Sequence, residues 1–235
     1  MSILAATGSI PAARAEAGER AAFIRRTYTH LAGAIAAFVL LEVAVFQTPA
    51  PQALLRFLTN TRYSWLLILG GFMVLGWIAR SLTAGTASPG VQYAGLGLYV
   101  VAYSVLFMPL LAVAVYIASP DVLPTAVFLT GALFLGLTAV VFTTRKDFSF
   151  LRGILTICGF VAFGLIVAAI LFGFSLGLWF SVAMVAFAGA AILYDTSRIL
   201  HHYPTDQHVA AALELFASVA LLFWYILRIV LALRR

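Results

Sequence analysis

Apolar residues in this chain come in long uninterrupted runs, and the short breaks between the runs carry nearly all of the charge. Neither the alternation of a half-buried strand nor the narrow apolar stripe of a surface helix accounts for such runs. At about 1.5 Å per helical residue, roughly 20 apolar residues cross the ~30 Å hydrocarbon core of a bilayer. Runs of this kind cover residues 29–46, 64–78, 91–117 and 122–142. A fifth starts near 148, a sixth leads from 178 into Tyr194-Asp195-Thr196-Ser197-Arg198, and a seventh follows a polar hairpin at 201–208. The pattern predicts an all-α polytopic membrane protein with seven transmembrane helices. Pro49 and Pro51 close the first run, and Gly85, Pro89 and Gly90 mark the turn after the second. Pro109 falls inside the third, where a membrane helix tolerates a kink if neighbours satisfy the freed carbonyl, so irregularity near a cavity is expected there.

Composition agrees and narrows the choice. Of 235 residues 64% are hydrophobic and only 9% charged, with a mean hydropathy of +1.08, whereas about a quarter of a soluble protein is charged. No stretch is left for a separate soluble domain, so a single membrane domain is expected over residues 27–235. Residues 1–26 read as a short cytoplasmic tail: Arg14, Glu16, Glu19 and Arg20 interrupt any secretory apolar core, and the Ala, Gly and Arg content predicts flexibility. Cys158 lies alone in an apolar run and reads as core or lipid-facing filler.

The net charge of +6 suggests nucleic acid only until its placement is considered, because the basic residues sit at run ends and form no basic face. No nucleic-acid partner is expected; the bilayer is. Placed by the preference of positive residues for the cytoplasm, the N-terminus lies inside. Arg14, Arg20, Arg25, Arg26, Arg80, Arg145, Lys146, Arg152 and Arg198 then face the cytoplasm, nine against the five of Arg56, Arg62, Arg228, Arg234 and Arg235. A re-entrant last segment would return its arginines to the cytoplasm, an alternative that the sequence leaves open.

Ionisable groups within a bilayer cost about 2.5–3.5 kcal/mol at its centre and need partners or water. Three carboxylates fall in this class. Glu42 lies in the first run, Asp195 near the inner end of the sixth, and Glu214 about two turns into the seventh. Arg80 closes the second run on the same side as Asp195. One reading pairs Asp195 with Arg80 as a latch over an ion path; the other pairs it locally with Arg198 at i+3. Glu214 shares its helix face with Ser218, Leu221 and Tyr225, a partly polar stripe able to line a cavity beside Asp195. Glu42 either snorkels or faces the bundle interior.

Other signals are weaker. His201, His202 and His208 surround the last hairpin without metal-ligand spacing and read as solvated. Gly173-Phe174-Ser175-Leu176-Gly177 fits a nucleophile-elbow pattern, which requires a strand before the serine and a helix after it. Here it joins two membrane helices. No nucleotide-binding fingerprint or zinc-protease motif occurs, and neither an enzyme nor a cofactor is expected.

Two segments carry a resemblance. Thr144-Arg145-Lys146-Asp147-Phe148-Ser149-Phe150-Leu151 and Ile192-Leu193-Tyr194-Asp195-Thr196-Ser197 resemble signatures of the Bax inhibitor-1 family, in the right order on a seven-span pattern, over about residues 21–233. The resemblance implies a seven-helix fold whose last helix is surrounded by the other six. In calcium-leak members an aspartate pair near the cytoplasmic side acts as a pH sensor. Asp195 matches the first aspartate and Arg80 the arginine that latches to it. The second aspartate, with an asparagine three residues on, reads Ser218 and Leu221 here, which removes the carboxylate pair whose shared proton would move one pKa towards neutrality.

Ser218 and the Thr196-Ser197 pair resemble the bacterial branch that includes the modulator of the FtsH protease. That branch implies an inner-membrane protein that binds a membrane-anchored AAA protease and restrains its degradation of other membrane proteins. The alternative is a pH-sensitive calcium or cation leak gated by the Arg80–Asp195 latch, with Ca2+ as transported ion. Glu214, one turn before Ser218, would then supply the missing carboxylate, making Asp195, Arg80, Glu214 and Ser218 the pH-sensing or ion-path residues.

Overall fold

A computed structural model describes residues 11–61, 63–83 and 88–234. Among these residues eight α-helices follow one another: α1 (Ala17–Phe46), α2 (Ala50–Asn60), α3 (Ser64–Leu82), α4 (Pro89–Tyr116), α5 (Val122–Thr144), α6 (Leu151–Phe172), α7 (Gly177–His201) and α8 (His208–Leu233). All but α2 are long and apolar enough to cross a membrane, which makes seven spans among the described residues. Six of the predicted runs agree with these helices to within a few residues.

The first differs more. Helix α1 begins at Ala17, well inside the segment expected to be a flexible tail. Just before it, Ala12 is fully buried and its N–H donates to the Tyr203 carbonyl at 2.9 Å. Residues 11–14 therefore dock on the α7–α8 loop, a long-range contact to which composition is blind. Residues 1–10, Arg62, Gly85 and Arg235 lie outside the described residues.

Helix α2 was not foreseen. Pro51 sits in its first turn, where a missing N–H costs nothing, and the Thr48 hydroxyl accepts the Ala50 N–H at 3.2 Å. Its 11 residues are too few to span. Leu58 packs inward while Gln52, Arg56 and Asn60 stay exposed, so α2 caps the end of the bundle opposite the N-terminus. Left-handed residues turn the chain between spans: Arg145 (φ 50) after α5, and Gly173 (φ 76) and Gly177 (φ 69) at the two ends of the α6–α7 turn, where lack of a Cβ removes the strain.

The resemblance implied that the last helix is surrounded by the other six, and burial refines that expectation. In α4 and α8, 61% and 56% of the most apolar stretch is buried inside the protein, against 6% in α6. Two helices therefore share the centre. Helix α8 packs on α1, α4, α5 and α7; α3 leans on α4, and α6 leans on α7 and only grazes α3. Cys158 is exposed on α6, among residues that face lipid when the bundle is in a bilayer.

Helix α8 is unbroken, and Arg234 at its end is ion-paired to Asp121 in the α4–α5 loop. It crosses from one end of the bundle to the other, so the re-entrant alternative does not apply. Pro109 lies inside α4 without ending it and lines a large cavity, as the position of that proline suggested.

Candidate functional site

At the end of the bundle where α3 and α7 finish and α8 begins, the predicted polar residues converge but pair differently from expectation. Arg80, in the last turn of α3, donates from Nε to Glu214 Oε1 of α8 at 2.9 Å. Its Nη2 donates to the Tyr99 hydroxyl of α4 at 3.1 Å, and its guanidinium lies 5.4 Å from the centre of that ring. Asp195 is only 8% exposed and accepts a hydrogen bond from the Ser218 hydroxyl of α8 at 2.5 Å. The expected Arg80–Asp195 pair is not formed, nor is Asp195 ion-paired to Arg198, whose guanidinium lies over the Tyr203 ring at 4.6 Å.

The physical reason is helix rotation. Glu214 and Ser218 are one turn apart on α8, and each meets a different neighbour, Glu214 towards α3 and Ser218 towards α7. Glu214 and Arg80 still lie within electrostatic reach of Asp195. The site is one cluster built from two pairs. Tyr99 and Tyr103 of α4 extend it deeper, their rings edge to face with centroids 4.9 Å apart. Beyond them Phe72, Phe107 and Phe216 pack on Tyr103 and close the bundle centre with aromatic contacts.

Beside Asp195, the buried hydroxyls of Tyr28, Thr138 and Thr196 face one another, yet no hydrogen bond of good geometry joins them. Sequence reading missed these three because hydroxyls in apolar runs carry no local signal of where they converge.

Glu42 faces the interior, as one of its two readings held. It is 7% exposed with both carboxyl oxygens unpartnered, and Ser104 of α4 faces it without a well-formed hydrogen bond. An unsatisfied buried polar group costs about 1–3 kcal/mol. Glu42→Met is therefore expected to raise the thermal unfolding midpoint in detergent, and a lowered midpoint would reveal a stabilising partner for the carboxyl.

The signature loop between α5 and α6 forms a second cluster with the end of α7. Asp147 accepts from the Ser149 hydroxyl, from the Ser149 N–H at 2.9 Å and from His202 Nε2 at 3.0 Å. The fully buried Ser197 accepts the Phe148 N–H at 2.9 Å. His202 is half exposed, as the solvated reading held, and also engages Asp147; His201 contacts the Ser197 carbonyl, and the His208 and His30 ring centres lie 4.9 Å apart. The same His202 nitrogen faces both Ser149 and Asp147, so no relay through the ring exists, and no group of three candidate metal ligands occurs among the described residues. Ser175 lies in the turn between α6 and α7, between two helices.

Donors that favour the ionised form, the Ser149 hydroxyl foremost, hold the Asp147 pKa at about 2 against an ordinary 3.8. A depressed folded pKa contributes stability above the unfolded value that is lost as the pH falls through the folded one. Hydrogen-exchange protection of the Ser149 amide is expected to fall between about pH 4 and pH 2. Asp147→Asn should remove that pH dependence; protection unchanged over the window would show that the carboxylate does not hold the loop.

Fold and site together define a seven-span helical membrane protein with a paired polar cluster at one end of a two-helix centre. The family model described as Inhibitor of apoptosis-promoting Bax1 matches residues 20–235, and the chain belongs to that family. It is 27% identical to Bax inhibitor 1 of Schizosaccharomyces pombe, over 93% of this chain and 79% of that one. It is 38% identical to an uncharacterised protein of Pseudomonas aeruginosa over 48% of this chain and 53% of the relative. To the modulator of FtsH protease YccA of Escherichia coli it is 34% identical over 46% of this chain and 50% of the other. The chain thus spans about half the length of the first curated relatives it matches. No solved structure matches it.

Proposed function

We propose that this chain is a non-catalytic regulator of membrane-protein quality control, acting in a bacterial inner membrane with its N-terminus in the cytoplasm by binding a membrane-anchored FtsH-type AAA protease. The observation that carries the reading is the partner of Asp195. It is the neutral hydroxyl of Ser218 rather than a second carboxylate, and the other acid, Glu214, is neutralised by Arg80. Such a cluster holds helices together without a shared proton to gate it. Aromatic packing around Tyr103 separates it from the far end of the bundle. Two Escherichia coli relatives carry the names modulator of FtsH protease and inner membrane protein. The largely unburied α6, with Ile157 and Phe160 exposed, offers a lateral surface for another membrane helix.

Degradation of a membrane substrate by an FtsH-type protease, co-reconstituted with this chain in liposomes, tests the reading. A rate that falls as the chain approaches stoichiometry supports it; an unchanged rate, with both proteins folded and inserted, rejects it.

A second reading, a pH-sensitive cation leak, rests on the run of Tyr99 and Tyr103 from the Arg80–Glu214 pair to the rim of the cavity at the other end. Its latch would be Arg80–Glu214. Calcium flux into proteoliposomes at pH 6 and pH 8 decides it. Flux that depends on pH and changes in Glu214→Ala supports the leak, and flux no greater than in empty liposomes removes it.

A further inference from the structure

The half of the bundle remote from the polar cluster holds a cavity of about 640 Å3, walled by α2, α3, α4, α6 and α8. That volume is in the ~300–1,000 Å3 range of sites that enclose small molecules or chains. Trp65, Phe72, Phe107, Ile166, Ile170 and Trp224 make its lining mainly apolar. Thr59, Ser175 and Tyr225 are its few hydroxyl-bearing residues besides Tyr103, and the remaining apolar wall suits hydrocarbon better than water, which needs two to four polar partners. The cavity is not sealed, because α3 and α6, which form two of its walls, meet only loosely.

One charge lies in this lining. Arg228 of α8 rests 5.8 Å from the centre of the Tyr225 ring and makes no ion pair among the described residues. It is 14 residues beyond Glu214 on the same helix, or about 21 Å at the helical rise. With Glu214 near one end of the bundle, Arg228 stands near the opposite membrane surface. A guanidinium with no ion pair among the described residues, above an apolar cavity that opens sideways, matches an anionic headgroup attached to a hydrocarbon chain.

We propose that the cavity is a binding site for an anionic phospholipid of the bilayer, one acyl chain entering between α3 and α6 and the phosphate held by Arg228. The site is separate from the Asp195 cluster and does not depend on the protease reading. The lipid chain would lie against Tyr103 and Phe107, the residues that divide the cavity from that cluster.

Two of the four tryptophans, Trp65 and Trp224, line the cavity, whereas Trp77 and Trp179 are 72% and 84% exposed. The full chain carrying Trp77→Phe and Trp179→Phe, in phosphatidylcholine bilayers, therefore reports on the cavity through fluorescence. At low mole fraction, phosphatidylglycerol brominated on its acyl chains is expected to quench at about fivefold lower concentration than brominated phosphatidylcholine, the size of one cationic contact at a lipid surface. Arg228→Gln should abolish the preference while leaving the helical content unchanged. Ala169→Phe, which fills the cavity from α6, should weaken quenching by both lipids. Equal quenching by the two lipids, or a preference that survives Arg228→Gln, overturns the proposal. Stronger quenching by a brominated free fatty acid than by brominated phosphatidylglycerol also overturns it, and would assign the cavity to a single-chain amphiphile.

Discussion

Replacing Gly95 with leucine is expected to destabilise the protein by about 3 kcal/mol or more, at the upper end of what overpacking costs. A Cβ at this position of α4 would stand 2.8 Å from the Ala79 carbonyl oxygen and 2.9 Å from the Leu82 Cβ, both on α3. Real Cβ atoms do not approach so closely, so the helices must part. Small residues at such crossings let backbones meet and are the usual adhesive of membrane bundles, which lack a hydrophobic drive between helices. The damage would reach the site, because Ala79 immediately precedes Arg80. Gly95→Ala should give the same result in miniature, about 1–2 kcal/mol, with a weakened Arg80–Glu214 pair. Thermal unfolding in detergent checks both variants, and a Gly95→Leu protein as stable as wild type would mean that α3 is free to move away from α4.

The second large effect is expected at Arg80 and Glu214. The pair is partly exposed at the bundle end, with 47% and 30% of the side chains accessible, so its worth is below that of a fully buried ion pair. Removing either partner leaves a charge facing apolar surroundings, and a loss of about 1–3 kcal/mol follows for each single alanine variant. In the double-mutant cycle, Arg80→Ala with Glu214→Ala should show a coupling of about 1–2 kcal/mol. Arg80→Ala with Asp195→Ala should couple by less than about 0.5 kcal/mol, because those residues share no hydrogen bond. The Asp195–Ser218 cycle should show a coupling of about 0.5–1.5 kcal/mol, the ordinary worth of a buried hydrogen bond. A strong Arg80–Asp195 coupling with a weak Arg80–Glu214 one would restore the latch that the sequence suggested and reject the pairing described here.

Much of the site was legible without coordinates, because charge within a long apolar run is rare and marks itself. Asp195, Arg80 and Glu214 stand out in that way, Ser218 through the helix face it shares with Glu214 and through the family resemblance, and the four do gather at one end of the bundle. Tyr99 was not, although it takes a hydrogen bond from Arg80, because a tyrosine among apolar residues reads as ordinary core or interface. The buried hydroxyls of Tyr28, Thr138 and Thr196 went unmarked for the same reason. Asp147 belonged to a recognised motif, but its tie to His202 joins residues 55 positions apart, and no pattern of spacing announces it.

The sequence by itself determined the solvent, the helical class and the seven spans, because the transfer of each residue into lipid is a local, additive quantity and a helix is how an isolated stretch satisfies its backbone there. It also determined which few residues had to find partners. Only the tertiary structure decided who those partners are, Glu214 rather than Asp195 for Arg80 and Ser218 for Asp195, and that α4 joins the last helix at the centre. Those outcomes depend on how far each helix is rotated and how closely it approaches its neighbours, as at the Gly95 crossing, and packing of that kind arises between segments far apart in the chain, where no run of residues records it.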